Sequence, residues 1–357
     1  MKQPAHFIMA GGGTGGHVTP ALAVARALTE HGHSPVFVGT KQGLEAKLVP
    51  AAGFTIEWIE SVRMKGAGLS GIFGACRQLP SSVRRAIGYF DRYRPAAVFS
   101  TGGFVAGPVV AAAIVKRLPL VVMEPNAMPG ATNRYAGRFV AKALLNFREA
   151  ERFFPRGRTE VSGVPVRREF FELPKKAVGN PITVLITGGS QGSQRLNGAA
   201  RDSWKHFRAW SMPVRMLHQT GPREFEEIER GFREAGMNGE VMPFITDMPA
   251  AFGAADVIVS RSGAGTAGEI AAAGRAAILV PYPYAADQHQ LRNAEAFAKA
   301  GAARLVLDSE MTGERLFEEV RRLAELPGEI ERVGEAARAF AKPNAAARAA
   351  EILEQFA

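Results

Sequence analysis

The residues best able to do chemistry in this chain of 357 lie between Asp256 and Asn293. An apolar run, Val257 to Val259, breaks at Ser260-Arg261-Ser262-Gly263, and the small residues Ala264, Gly265, Thr266, Ala267 and Gly268 lead into an alanine-rich helical pattern. This reads as a strand, a tight loop and a helix N-terminus. The first turn of such a helix carries unsatisfied N–H groups at a positive dipole end, which can hold a phosphate without a charged side chain. Glu269, one turn further in, can reach sideways with a carboxylate that accepts two hydroxyl hydrogen bonds, as the vicinal hydroxyls of a ribose would offer. A second strand, Ala277 to Val280, ends at Pro281, and Asp287-Gln288-His289-Gln290 follows as a loop or helix start dense in hydrogen-bonding groups. Together these suggest a nucleotide-sugar cradle. The plainer reading stays open here, because strand, glycine-rich turn and helix describe almost any α/β unit. Glu269 could equally be a structural carboxylate paired with Arg261 or Arg275.

A similar unit opens the chain. Phe7 to Ala10 reads as a strand, Gly11 to Gly16 as its loop, and His17 to Glu30 as a helix with Ala21, Leu22, Ala25 and Leu28 at helical spacing. Gly11, Gly13 and Gly16 form a G-x-G-x-x-G, but the dinucleotide reading also requires an acid at the end of the next strand. Val36-Phe37-Val38-Gly39 is followed instead by Thr40 and Lys41, which argues against a dehydrogenase. His17 stands where loop becomes helix, at the carboxyl end of the first strand, and is the candidate general base; a structural histidine is the alternative. A second loop of the same kind, Thr101-Gly102-Gly103-Phe104, follows Val98-Phe99-Ser100, and two such loops would make a pocket for a diphosphate. The strand Leu120 to Met123 then puts Glu124 and Asn126 at the pocket rim.

The elements that must position these residues come twice. Strand signals stop near Val161-Ser162-Gly163-Val164-Pro165, and the polar stretch Pro174 to Pro181 extends the linker. The pattern restarts with Ile182 to Thr187 as a strand, Gly188 to Ser193 as its loop and a helix from Leu196, and strands follow at Val214 to Leu217, Val241 to Phe244 and Val257 to Val259. This is an α/β protein with two Rossmann-like domains in tandem and mainly parallel sheets. The expected bounds are 1–163, 164–341, and a terminal helix in 342–357 that packs back on the first domain. Phe244 and Ile245 end a strand near the cradle, where backbone groups and an apolar wall could receive a flat base or pack in the core. Glu314 to Ala341 reads as helical.

Composition bounds the function. With 46% hydrophobic and 22% charged residues the chain can bury two full cores. A single cysteine, Cys76, rules out an intramolecular disulfide and any cysteine-based metal cluster, and favours a reducing cytoplasm. The N-terminus lacks the apolar core of a leader peptide, and no apolar run reaches the ~20 residues that span a bilayer. A formal net charge of +10 favours an anionic partner. Between 63 and 94, Arg63, Lys65, Arg77, Arg84, Arg85, Arg92 and Arg94 face a single acid, Asp91. They alternate with Leu69, Ile72, Phe73, Leu79, Ile87, Tyr89 and Phe90. That pattern suits an anionic membrane surface, or a core helix with a solvated basic face. It lacks the aromatic interleaving of a nucleic-acid stacking platform, so no nucleic acid is expected as partner.

Taken in order, Gly12-Gly13-Thr14-Gly15-Gly16-His17-Val18-Thr19-Pro20, Gly102-Gly103-Phe104-Val105, Gly188-Gly189-Ser190-Gln191-Gly192, Ser260-Arg261-Ser262-Gly263-Ala264 with Thr266 and Glu269-Ile270, and Asp287 with His289-Gln290 and Asn293-Ala294 span nearly the whole chain. In this the chain resembles the MurG family. The resemblance implies a GT-B fold, two Rossmann-like domains facing across a cleft, at the inner face of the cytoplasmic membrane. It implies inverting transfer of N-acetylglucosamine from UDP-N-acetylglucosamine (UDP-GlcNAc) to the C4 hydroxyl of the muramoyl sugar of undecaprenyl-diphosphate-linked lipid I, giving lipid II for peptidoglycan. By matching motif it puts Thr14, Gly15 and Gly16 near the donor and the acceptor diphosphate and Asn126 against the donor sugar. Arg167 and Ser190 would touch the donor diphosphate, Ile245 the uracil, Ala264 to Glu269 the diphosphate and ribose, and Gln290 the sugar hydroxyls. No cofactor is expected, and with a helix dipole at the leaving group no metal is expected to be essential. The chain departs from the family where Met123-Glu124-Pro125-Asn126 replaces His-Glu-Gln-Asn, where Phe104 replaces Tyr, and where Val164-Pro165 replaces Asn-Pro. Two enzymatic rivals share the cradle: a glycosyltransferase acting on another glycolipid, and a UDP-N-acetylglucosamine 2-epimerase that needs no acceptor.

Overall fold

The computed structural model describes residues 4–61 and 68–357, with side chains given for all of these except 68–76. The chain divides into two compact units, residues 1–165 with 344–357, and residues 166–343. The first holds a seven-stranded sheet: β1 (His6–Gly11), β2 (Ser34–Gly39), β3 (Thr55–Trp58), β4 (Ala97–Gly102), β5 (Leu120–Glu124), β6 (Lys142–Leu145) and β7 (Thr159–Val161), in the order β3-β2-β1-β4-β5-β6-β7. The second holds six: β8 (Ile182–Thr187), β9 (Val214–Gln219), β10 (Gly239–Met242), β11 (Val257–Ser260), β12 (Ala276–Leu279) and β13 (Arg304–Leu305), in the order β10-β9-β8-β11-β12-β13. The strand pairs are parallel in both.

Each order runs outward in one direction from the first strand and then restarts on its other side. The reversal falls between β1 and β4 in the first unit and between β8 and β11 in the second. Open parallel sheets bind ligands outside the carboxyl ends of the strands at that point, because the two connecting helices diverge there and leave a crevice. The four glycine loops singled out in the sequence are the loops that follow these four strands.

Both faces of the first sheet are covered, so its strands read as continuous apolar runs. Side chains alternate along β1, with Ile8 and Ala10 on one buried face and Phe7 and Met9 on the other. The second face is closed by the helix Gly15–Glu30 together with the terminal helix Ala345–Leu353, whose Ala349, Ala350, Ile352 and Leu353 are buried in that core. Arg348 on the same helix grips both carboxylate oxygens of Glu160, at 2.6 and 3.2 Å. A bidentate pair of this kind adds orientation to the apolar contact.

Three expectations shift. The stretch 174–181 is part of the second unit rather than a loose linker: the Pro174 carbonyl accepts from Arg275 Nη2 at 3.1 Å, and Asp256 takes Lys176 and the Gly179 N–H. The helical segment after Thr312 is two helices, Gly313–Glu325 and Glu329–Arg338, broken at Leu326-Pro327-Gly328. Gly328 has φ +74°, which a helix cannot carry. The strand expected at Val241 to Phe244 is Gly239–Met242, so Ile245 stands in the following loop.

The basic stretch divides. Arg63 and Lys65, and the side chains of Leu69, Ile72, Phe73 and Cys76, lie outside the described residues. In the rest of the helix Gly68–Tyr93, Phe90 is buried in the first core with Ile87 and Tyr89 packed against it, while Arg77, Leu79, Arg84 and Arg85 are exposed. From Ser82 onward this is therefore a core helix with a solvated basic face.

Candidate active site

In the first unit the loops after β1 and β4 are clamped together. Thr101 Oγ1 donates to the His17 carbonyl and the His17 ring Nδ1 to the Thr101 carbonyl, both at 2.8 Å. A carbonyl only accepts, so Nδ1 carries the proton, and in the neutral ring Nε2 is the basic nitrogen. Thr14 is the N-cap of the helix Gly15–Glu30, and its carbonyl accepts from the N–H groups of His17 and Val18 at 3.1 Å. A Cβ built on Gly15 would meet nothing within 4 Å, and one on Gly16 only the Thr14 hydroxyl, so the backbone is open to a ligand there.

Glu124 does not sit at a rim. It is 1% exposed at the end of β5 and accepts from Asn126 N at 2.9 Å, Asn126 Nδ2 at 3.1 Å, Gly130 N at 3.1 Å and Asn133 Nδ2 at 3.0 Å. Burial pushes its carboxyl up to about 7, against the lowering effect of those donors. Asn126 is partly buried, with its amide turned toward Glu124.

In the second unit the helix Ala264–Ala273 starts at the carboxyl end of β11 with Gly263 as N-cap, and Ser190 lies exposed on the neighbouring loop after β8. Gln290 is one residue into the helix His289–Lys299; its Oε1 accepts from Tyr282 N at 3.0 Å, and its carbonyl accepts from Ser262 Oγ at 2.8 Å. Ala264, Gly265, Thr266, Ala267, Gly268 and Glu269 supply the first turns, of which Ala267 and Gly268 are buried and Gly265 exposed. The Ile245 side chain is 5% exposed, and its N–H is held by Gln219 Oε1 at 2.8 Å.

Glu269 is 27% exposed on its side chain and its carboxyl is raised to about 7, chiefly by desolvation, with Arg167 pulling the other way from 3.9 Å. Neither Arg261 nor Arg275 is its partner. Arg261 ties the loops of this unit, donating to Ser193 Oγ at 2.7 Å, Asp308 Oδ1 at 2.6 Å and the carbonyls of Val280 and Pro281. Arg275 is turned to the carbonyls of Phe252, Gly253 and Pro174. Arg167 comes from the N-cap of the short helix Arg168–Phe171, with its guanidinium over the Phe170 ring. The one carboxylate at the helix start is thus spared a strong salt bridge, which leaves it able to accept hydroxyls.

Sequence reasoning missed the residues that hold the loops. Gln219 donates to Gly189 O at 2.8 Å and Thr187 Oγ1 at 3.2 Å while accepting from Ile245, and Asn197 bonds Thr220 O, Glu224 and His218. Gly192 has φ +74°, and a Cβ there would lie 1.8 Å from the Thr220 carbonyl oxygen. Glu45, on the helix Glu45–Ala51, is 0% exposed and accepts from Gly13 N at 2.7 Å. Gly192 belongs to the glycine loop read from the sequence, but Gln219, Asn197 and Glu45 carry no sequence signal, since a buried amide or carboxylate under a loop looks like any surface one.

Residues 7–145 match the glycosyltransferase family 28 N-terminal domain and residues 183–351 the glycosyltransferase family 28 C-terminal domain. The chain is 56% identical over 99% of its length to a UDP-N-acetylglucosamine--N-acetylmuramyl-(pentapeptide) pyrophosphoryl-undecaprenol N-acetylglucosamine transferase of Solibacter usitatus, covering 96% of that protein. It is 41% identical to the transferase of the same name from Anaeromyxobacter sp. (strain K), over 97% of this chain and 91% of the relative. Among solved structures, Acinetobacter baumannii MurG superposes with a TM-score of 0.84 at 30% identity, over 99% of this chain and 100% of that one. A UDP-GlcNAc 2-epimerase from Neisseria meningitidis bound to UDP-GlcNAc reaches a TM-score of 0.67 at 13% identity, over 99% of this chain and 100% of that one, a likeness of fold alone.

Proposed function

The chain belongs to glycosyltransferase family 28 and within it to the MurG family, and from that premise we propose how its two units divide the reaction. It has the GT-B fold and is an N-acetylglucosaminyltransferase that uses UDP-GlcNAc and the muramyl-(pentapeptide) pyrophosphoryl-undecaprenol acceptor, lipid I. The observation that carries the division is Glu269, a carboxylate of raised pKa, partly buried one turn inside a helix that starts at the switch point of the second sheet.

The second unit holds the donor. Ser190, Arg167 and the Ala264 to Gly268 helix start take the diphosphate, Glu269 the ribose hydroxyls, the Ile245 backbone the uracil and Gln290 the sugar hydroxyls. The first unit carries the base, with Thr14, Gly15 and Gly16 beside the acceptor diphosphate and Asn126 toward the donor sugar. The C4 hydroxyl oxygen of the muramoyl sugar bonds to the anomeric carbon as the bond from that carbon to the diphosphate breaks. The hydroxyl proton passes to His17 Nε2, and UDP leaves with the electron pair, with inversion. Donors preorganised for such a charge cost about 2.7–4 kcal/mol each when removed. A helix N-terminus at the leaving group makes a metal ion dispensable, so activity should survive chelation. The protein works at the cytoplasmic membrane surface, and in the described part of the 63–94 stretch Arg77, Leu79, Arg84 and Arg85 offer the contact to anionic lipid.

The test is transfer of labelled N-acetylglucosamine to a lipid I analogue beside a control without acceptor, with vesicle binding measured in parallel. Product that requires the acceptor is expected. Conversion of UDP-GlcNAc without acceptor would favour an epimerase, and transfer to diacylglycerol alone would favour a different glycolipid transferase.

A further inference from the structure

The first glycine loop rests on a buried carboxylate that the reaction above does not use. Glu45 accepts from Gly13 N at 2.7 Å, Thr40 N at 3.0 Å and Thr40 Oγ1 at 2.7 Å. It is fully buried, and among the described residues no cation pairs with it. Such a group is costly to bury, and apolar side chains of similar volume hold a fold as well or better. The chain has also cleared space for it: Cβ atoms on Gly12, Gly39 and Gly43 would lie 2.7, 2.7 and 2.0 Å from Glu45 side-chain atoms.

We infer that Glu45 is a positioning residue for the base, setting the backbone that carries His17. This rests on the proposed role of His17. Gly13 is fixed from two sides, its N–H on Glu45 and its Cα against the Phe104 ring, where a Cβ would come within 2.6 Å of Cε1. Its φ of +84° is a left-handed conformation that is held only where the surroundings impose it. The next residue is Thr14, whose carbonyl accepts from the His17 N–H, and His17 then meets Thr101 through both its carbonyl and its ring. The line from Glu45 to the imidazole is therefore Gly13, Thr14 and one helical turn. A shift of the loop would turn the ring off the Thr101 carbonyl and release the tautomer that leaves Nε2 basic.

Glu45→Gln tests this. The amide oxygen still accepts from Thr40, but the amide nitrogen meets the Gly13 N–H as donor against donor. The companion Thr40→Val removes one hydrogen bond to the carboxylate and leaves the Gly13 contact in place. In full-length protein, Glu45→Gln should lower kcat for transfer by about tenfold or more. Its UDP-GlcNAc dissociation constant and circular dichroism spectrum should stay those of the wild type. Thr40→Val should lower Tm while keeping kcat within about twofold. With histidines labelled with 15N, and His17 assigned by its loss in His17→Ala, the His17 ring should be the Nδ1–H tautomer in wild type and Thr40→Val, and mixed in Glu45→Gln. A Glu45→Gln protein with lowered Tm but unchanged kcat and tautomer would show a structural group only and overturn the inference. Equal loss of donor binding would overturn it too. If the wild type transfers nothing to the acceptor, the reaction assignment fails, and the tautomer alone decides for or against Glu45.

Discussion

In the first unit the switch-point loop after β1 is tied down by the buried carboxylate of Glu45, which collects N–H and O–H donors, and Glu124 does the same for the loop after β5. In the second the switch-point loops are tied by the Arg261 guanidinium and the amides of Gln219 and Asn197. The strand order is shared and the loops look alike in sequence, yet the groups that lie beneath them differ. Charges act strongly at short range where water is excluded. A carboxylate behind a loop favours a proton arriving on a nearby imidazole, whereas the Arg261 guanidinium, already paired with Asp308 at 2.6 Å, and the neutral amides give no such bias. The first unit is thus the one suited to carry the base, beside backbone at Gly15 and Gly16 that stays open to a ligand.

The contrast can be broken most directly at His17. His17→Ala should reduce kcat by about 10²–10⁴-fold with donor affinity unchanged, as read by steady-state rates beside calorimetric titration with UDP-GlcNAc. A parallel loss of donor affinity would erase the division between the units. Arg261→Ala should do the opposite kind of damage: leaving Asp308 with only Arg195, 3.7 Å away, and freeing Ser193 should cost about 3 kcal/mol by urea denaturation and weaken UDP-GlcNAc binding, with the His17 tautomer intact. A smaller effect is the pH dependence of donor binding. Glu269 must be ionised to accept two ribose hydroxyls, and its carboxyl titrates at about 7, so affinity should be level above that pH and weaken as pH falls through it. Glu269→Gln should remove the dependence, and Arg167→Ala, which takes away the group that lowers this pKa, should move the inflection upward. The smallest effect concerns Glu124. Folded, it keeps its proton up to about 7, whereas in the unfolded chain it releases it near 4.5, so between those values the folded state binds more protons. Its share of stability is therefore present at low pH and lost as pH rises through 7, a slope that hydrogen exchange in the first unit should report and Glu124→Gln should flatten.

Periodicity and glycine loops made the architecture legible because each loop follows an apolar strand whose length and ending are local properties. The same holds for the donor cradle, where the small residues Ala264 to Gly268 and the carboxylate one turn in are consecutive in the chain. The short strands β6 and β7 were less visible, four and three residues with no turn chemistry to frame them. The break at Leu326-Pro327-Gly328 was written in the sequence and outweighed there by the helical composition around it. The chain by itself determined two parallel α/β units, their four switch-point loops and the types of group each loop presents, because these follow from backbone sterics and hydrophobic spacing over a few residues. Only the tertiary structure decided that Glu269 answers to Arg167 rather than Arg261 or Arg275, that Glu124 is buried under its loop, and that Glu45 reaches Gly13 from 32 positions away. Those outcomes depend on which side chains distant segments bring within hydrogen-bonding distance, and on how much water the packing leaves around them.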